Sequence, residues 1–406
     1  MADTADLKSA DPLKGREGSS PSPGTIETPI MPTLTRRHFL ASAAALPFSL
    51  RALAASHSLA PRRIYIGSDT TSGAKGIYRA DWNAATETLS PATLAVETPR
   101  PSYLAAHANR IYAVNALNSA DAAVSSFRIN PDGSLALLNS VPSGGNGPCF
   151  LSVHPTGRAA YVANYFGGSL SSFAIAANGK LSPAGSHFQY EGHGPVAARQ
   201  QSPHAHSCYI SPDAHWLLVN DLGLDCIHIL LIDPSHPAQI TPASDWHARP
   251  GSGPRHLCFA PGGRVYCINE IDSTIDLLAW NPHTGALTTV AGPYSTTAPG
   301  FTGANAAAEV LLSPDARFLY ASNRGEDSIT VFAINQQSGA LAPIQHIPSG
   351  GRTPRHITLA PGGRTLIAAN QDSSSLCIFR RNPASGELTP LPGSISVPSP
   401  MFMLFA

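Results

Sequence analysis

Seven tandem copies of one segment, each about 50 residues long, predict an all-β chain: a seven-bladed β-propeller of four-stranded antiparallel blades. Three observations carry this reading. They are the period, the four strand-like runs inside each copy, and a C-terminal run that supplies the strand missing from the first copy. The period is read at the residue closing the second apolar run. That residue is Gly67, Asn115, Asn164, Asp221, Asn269, Asn323 and Asn370, at intervals of 48, 49, 57, 48, 54 and 47.

Within a copy the runs alternate as half-buried strands do. In Ser328 to Ile334 apolar residues recur at nearly every second position. Gly262-Gly263, Pro314-Asp315 and Gly362-Gly363 separate consecutive runs, where tight hairpins need positive φ or a preset proline φ. With 37 Pro and 34 Gly, long helices are excluded and many short turns are favoured.

The chain opens on something else. Residues 1–56 read as a leader and residues 57–406 as the propeller. Positions 1–32 are rich in Ser, Pro, Thr and charge, a composition that does not fold alone. Arg36-Arg37 with Phe39-Leu40, the Ala-rich run from Ala41 to Leu50, and Ala52-Leu53-Ala54 come in the order of a twin-arginine export signal and its cleavage site. Met31 would give that signal a short leader. A periplasmic protein is therefore expected, cytoplasmic if the signal does not function.

Blades 2 to 7 begin with PSYLAAH, PCFLSVH, HAHSCYIS, RHLCFA, AEVLLS and RHITLA. Blade 1 has no such run before Ile64. Pro400 to Ala406 has the same character and is expected to be the innermost strand of blade 1, closing the ring and removing its exposed edges.

Composition limits the partners. Twenty-six basic and 26 acidic residues balance, so no nucleic-acid partner is expected. No apolar run reaches the length of a membrane span. Six cysteines lack CxxC spacing and sit mostly in apolar runs, which suits buried reduced thiols. A monomer acting on a small molecule is the expected state.

No G-x-S-x-G, H-E-x-x-H, P-loop or G-x-G-x-x-G occurs. Chemistry must then come from residues gathered around the axis. Six positions before the turn prolines stand His206, Arg255 and Arg355, followed in their blades by Ser207, His256 and His356. The same two slots of blade 6 hold Ala308 and Glu309. Just after the markers stand Glu270, Arg324 and Gln371. Both sets should face one end of the channel, as a wet polar rim whose ion pairs contribute little to folding. His204 and His206 are two apart on a strand and could share a metal. No third ligand follows at a suitable spacing, so one histidine acting as acid or base is favoured, and no metal or cofactor is expected.

These residues carry a resemblance. Arg199-Gln-x-x-Pro203-His204-x-His206, Gly253-Pro-Arg255-His256, Asn269-Glu270, Ala308-Glu309, Asn323-Arg324-Gly325, Pro354-Arg355-His356 and Asn370-Gln371 together resemble the lactonase family of seven-bladed propellers over about residues 63–406. That family includes 6-phosphogluconolactonases and fungal carboxy-cis,cis-muconate cyclases. The resemblance implies a catalytic set of His206, Arg255, Glu270 and Arg324. Arg199, His204, His256, Glu309, Arg355, His356 and Gln371 are expected to bind substrate. Two departures stand out. Ala116 follows Asn115 where many relatives have an acid. The turns at Ala214 and Ala316 read Pro-Asp-Ala in place of Pro-Asp-Gly, a change expected to be mild.

The leading expectation is hydrolysis of a sugar-type lactone, with Glu270 or His206 taking the proton of water and arginines stabilising the oxyanion. Export would favour an uncharged aldonolactone over a phosphorylated one. The same groups would also serve lactonisation of a muconate, and a non-enzymatic binding propeller in the envelope is the alternative of another class.

Overall fold

The computed structural model describes residues 62–406. The expected leader and export signal lie outside the described residues. Seven antiparallel sheets form the seven blades, each running from an inner to an outer strand. Blade 5, for example, comprises Pro254–Ala260, Arg264–Asn269, Thr274–Asn281 and Ala286–Ser295. In blade 1 the fourth strand is broken into Thr88–Leu89 and Thr93–Glu97, both paired with Gly76–Asn83.

The ring closes as the repeat requires. Pro400–Phe405 pairs with Arg62–Ser68, with Ile64 opposite Phe405 and Gly67 opposite Phe402. Apolar cores sit between neighbouring blades, because a sheet buried on both faces must pack on each neighbour. Ile64, Ile66 and Trp82 of blade 1 pack with Ile367, Leu376 and Ile378 of blade 7, so closure also fills a core. Leu218, Ile227 and Trp246 of blade 4 pack similarly with Val265, Leu278 and Trp280 of blade 5.

The marker asparagines end the second strands, where their side chains tie loops together. Asn323 donates to the Thr296 carbonyl at 2.7 Å, and Asn370 to that of Ser349 at 3.1 Å. Tyrosines three residues earlier latch the opposite end. Tyr161, Tyr266 and Tyr320 donate to the carbonyls of Pro237, Gly339 and Gly386 in the next blade, at 2.6, 2.8 and 2.9 Å.

One feature recurs at the start of all seven inner strands: the pairing slips by a residue. Pro254 lies opposite Asn269 and His256 opposite Ile268, which leaves Arg255 unpaired between them. Ser102, Cys149, His206, Arg355 and Met401 are the equivalent bulged residues. In blade 6 the slip spans Ala308 and Glu309. A bulge breaks the alternation of a strand, so two consecutive side chains reach the same channel. Plain alternation would have sent one of them into the core.

The Pro-Asp-Ala turns are less mild than expected. Ala214 and Ala316 adopt φ of 61° and 52°, the conformation that Gly157, Gly263 and Gly363 take in other blades. A Cβ in that region costs roughly 1–2 kcal/mol per residue.

Candidate active site

A cavity of about 250 Å³ opens where the second strands end. A narrower chamber of about 10 Å³ adjoins it. Five bulged residues, Ser102, Cys149, His206, Arg355 and Met401, line both and form the throat between them.

Glu270 is the centre of the polar wall. Its Oε2 accepts from Arg255 Nε at 2.8 Å and lies 2.6 Å from Arg324 Nη2, while Arg199 Nη2 contacts Oε1. The group is not a wet rim. Arg255 and Glu270 are 2 % and 4 % exposed. Burial works to push the Glu270 carboxyl up, but Arg324, Arg255 and Arg199 together overcome it and hold the group far below its ordinary value. Arg255 and Arg324 are also fixed from behind. Arg255 Nη1 donates to the Ala308 carbonyl, and Arg324 donates to those of Ala306 and Ala307, both at 3.2 Å.

Arg355 is different. Among the described residues it has no carboxylate or hydrogen-bond partner, although it lines both chambers. Burial, then the neighbouring Arg324 and Arg255, lower it to about 9, so it remains a cation at neutral pH. Arg100, by contrast, is paired with Asp69 at 3.3 Å. One carboxylate among Arg199, Arg255, Arg324 and Arg355 leaves the cavity wall with excess positive charge.

His206 faces this wall with a buried Nδ1 that has no partner. Burial, then Arg255 and its other cationic neighbours, put it well below its ordinary range, so the ring is neutral at physiological pH. Beyond the throat, His256 Nδ1 lies 3.1 Å from both oxygens of Glu309, and His356 Nε2 is 3.5 Å away. Burial raises Glu309 and lowers His356 to about 4. These three residues border the narrow chamber and are not part of the main wall.

Two expected binding residues lie elsewhere. His204 is buried behind the site, with its ring stacked on Tyr165 at 4.5 Å and Nδ1 3.0 Å from the Tyr165 carbonyl. The two histidines therefore do not converge. Tyr165, not its partner histidine, reaches the cavity. Gln371 is half-buried and lines neither chamber.

Several lining residues escaped sequence reasoning: Arg100, Ser102, Tyr165, Phe166 and Met401. A signal existed for Ser102 and Met401. Each follows a proline, as Arg255 and Arg355 do. Tyr165 holds the slot of Glu270 after its marker. Arg199 comes from the longest interval of the repeat, in the loop between Leu181–Gln189 and Ala205–Ile210. Cys149 also lines the throat, but burial raises its thiol to about 12, and Sγ donates to the His206 carbonyl at 3.1 Å, so it is no nucleophile.

The chain is a closed propeller with a cationic, histidine-bearing cavity at one mouth, a concave site of the kind that takes a small molecule. The family model described as "Lactonase, 7-bladed beta-propeller" matches residues 63–405, and the chain belongs to this family. It is 30% identical over 345 residues to the 6-phosphogluconolactonase of Bacillus subtilis, covering 84% of this chain and 97% of that one. A 6-phosphogluconolactonase of Formosa agariphila is 35% identical over 241 residues, 57% of this chain and 67% of the relative. The solved periplasmic gluconolactonase of Pseudomonas aeruginosa superposes with a TM-score of 0.79 at 30% identity, covering 85% of this chain and 98% of that one.

Proposed function

We propose that this protein hydrolyses sugar-type lactones. Membership of the lactonase family supports the class, and the unpaired Arg355 beside the arginine-bound Glu270 is the observation that carries the mechanism. A lactone carbonyl placed at the throat would have Arg355 and Arg324 as donors to the oxygen that becomes negative. His206, neutral and facing the same cavity, accepts a proton as water attacks the carbonyl carbon. The tetrahedral intermediate then collapses, the ring C–O bond breaks, and the leaving alkoxide takes the proton back from His206. The product is an open hydroxy acid whose carboxylate suits the cationic wall.

Glu270 is a poor base in this scheme. Three guanidiniums stabilise its ionised form and so weaken its pull on a proton. Its role is to position Arg199, Arg255 and Arg324. Export through Arg36-Arg37 is part of the proposal, supported by the periplasmic location in the name of the Pseudomonas aeruginosa relative. The test is acid release by purified protein from a panel of neutral and phosphorylated aldonolactones, with muconates included. Turnover of no lactone would overturn the reading, and acid uptake with a muconate alone would replace it by lactonisation.

A further inference from the structure

Phe166 is the feature at the cavity mouth that the hydrolytic scheme does not use. Its side chain is 52 % exposed, and it is the one aromatic residue among the large exposed apolar side chains of the described residues. The others, such as Leu137 and Val290, lie on blade strands away from the cavity, whereas Phe166 lines it. An apolar ring left half in water forgoes favourable burial that a bound apolar surface would supply.

Its seat is built. The ring rests on the backbone of Gly147: a Cβ there would lie 2.4 Å from Phe166 Cδ2, and Gly147 has φ of 58°. Main-chain bonds lace the two loops together, from Tyr165 N to the Gly147 carbonyl and from Gly167 N to that of Asn146, both at 2.9 Å. Tyr165 meets the ring edge-on at 5.2 Å and is itself stacked on His204. The platform is therefore held from below and from one side, and it borders the cavity with about half of its surface exposed.

A sugar ring has the matching surface. Its hydroxyls point outward, and its C–H groups leave one face apolar. We propose that Phe166 is the platform on which the pyranose or furanose ring of the substrate stacks, placing the lactone carbonyl toward Arg355 and His206. This rests on the lactonase reading for the identity of the substrate. It assigns substrate positioning to a residue outside the ionisable set.

The experiment uses the full-length protein with Phe166→Ala and Phe166→Tyr. Loss of uniform binding should raise KM for a sugar lactone about tenfold in Phe166→Ala, with kcat within about twofold of the parent, and Phe166→Tyr should restore it. Because the ring is exposed, Tm should not change. A binding readout is independent of catalysis: saturation-transfer NMR with 1,5-anhydroglucitol, the cyclic ether counterpart of the lactone. Contacts from the C–H protons of one ring face are expected in the parent and absent in Phe166→Ala. If the parent opens no sugar lactone yet shows these contacts, the catalytic reading fails and the platform stands. Unchanged KM and unchanged contacts in Phe166→Ala, or no contact in the parent, would overturn the platform.

Discussion

Replacing Glu270 by Gln should destabilise the propeller in a way that depends on pH. The carboxylate is buried and sits 2.6 Å from Arg324 Nη2 and 2.8 Å from Arg255 Nε. Gln keeps the shape and one acceptor but leaves these cations unneutralised. Breaking one side of a buried pair typically costs about 3–5 kcal/mol. Arg199 is 38 % exposed and adds little to this figure. A fall in Tm of roughly 4–7 °C at neutral pH is expected for a domain of this size. The sign with pH follows from the depressed folded-state carboxyl. Its stabilisation is complete above the ordinary value of 4.5 and is lost as pH falls toward the much lower folded value. Gln does not titrate, so the gap between parent and variant should be widest at neutral pH and narrow in acid. The assay is a series of thermal or urea melts from about pH 8 down to about pH 2.5, well inside the window where the stabilisation is lost. A gap below about 1 kcal/mol at neutral pH, or one unchanged in acid, would refute the assignment of Glu270 as the buried anchor of three arginines.

Three further outcomes are expected. Arg355→Met should cut kcat about a hundredfold, the usual effect of losing an oxyanion donor, with Tm unchanged or higher because an unpaired, half-buried cation is removed; a kcat near that of the parent would exclude Arg355 from the reaction. His206→Gln should lower kcat by about 10² or more, and the acid limb of kcat/KM in the parent should lie well below 6.5, since burial and the surrounding arginines lower His206 from that value; an acid limb at 6.5 or above would point to another base. Replacing Arg36 and Arg37 by Lys should keep the protein out of the periplasm on cell fractionation, and equal export would remove the signal from the proposal.

The blades were legible because a repeat averages out local ambiguity. One apolar run cannot distinguish strand from helix, but seven copies with the same turns can. The ionisable groups were legible for the same reason: Arg255, Glu309 and Arg355 stand in slots that other blades fill with Cys149, Phe150 or Ala308. What failed was the estimate of their surroundings. The expected wet rim is a buried network at Glu270, because the inner-strand bulge at Arg255, the strand end at Arg324 and the loop that carries Arg199 all converge on it.

Periodicity, turn residues and the apolar C-terminal run determined the seven blades, the closure through Pro400–Phe405 and the end of the channel where polar groups collect. Those properties belong to local pattern and pass unchanged from chain to fold. Tertiary structure decided the roles. The bulge at each inner-strand entry turned two neighbouring residues into one channel, which strict alternation does not foresee. Three arginines met on one carboxylate, and that contact, not the residue type, makes Glu270 the anchor that holds them. His204 and His206 both meet Tyr165, one stacked on its ring and the other at its edge, but only His206 reaches the throat. Charge and protonation depend on neighbours brought from distant blades, and only the closed ring specifies which neighbours those are.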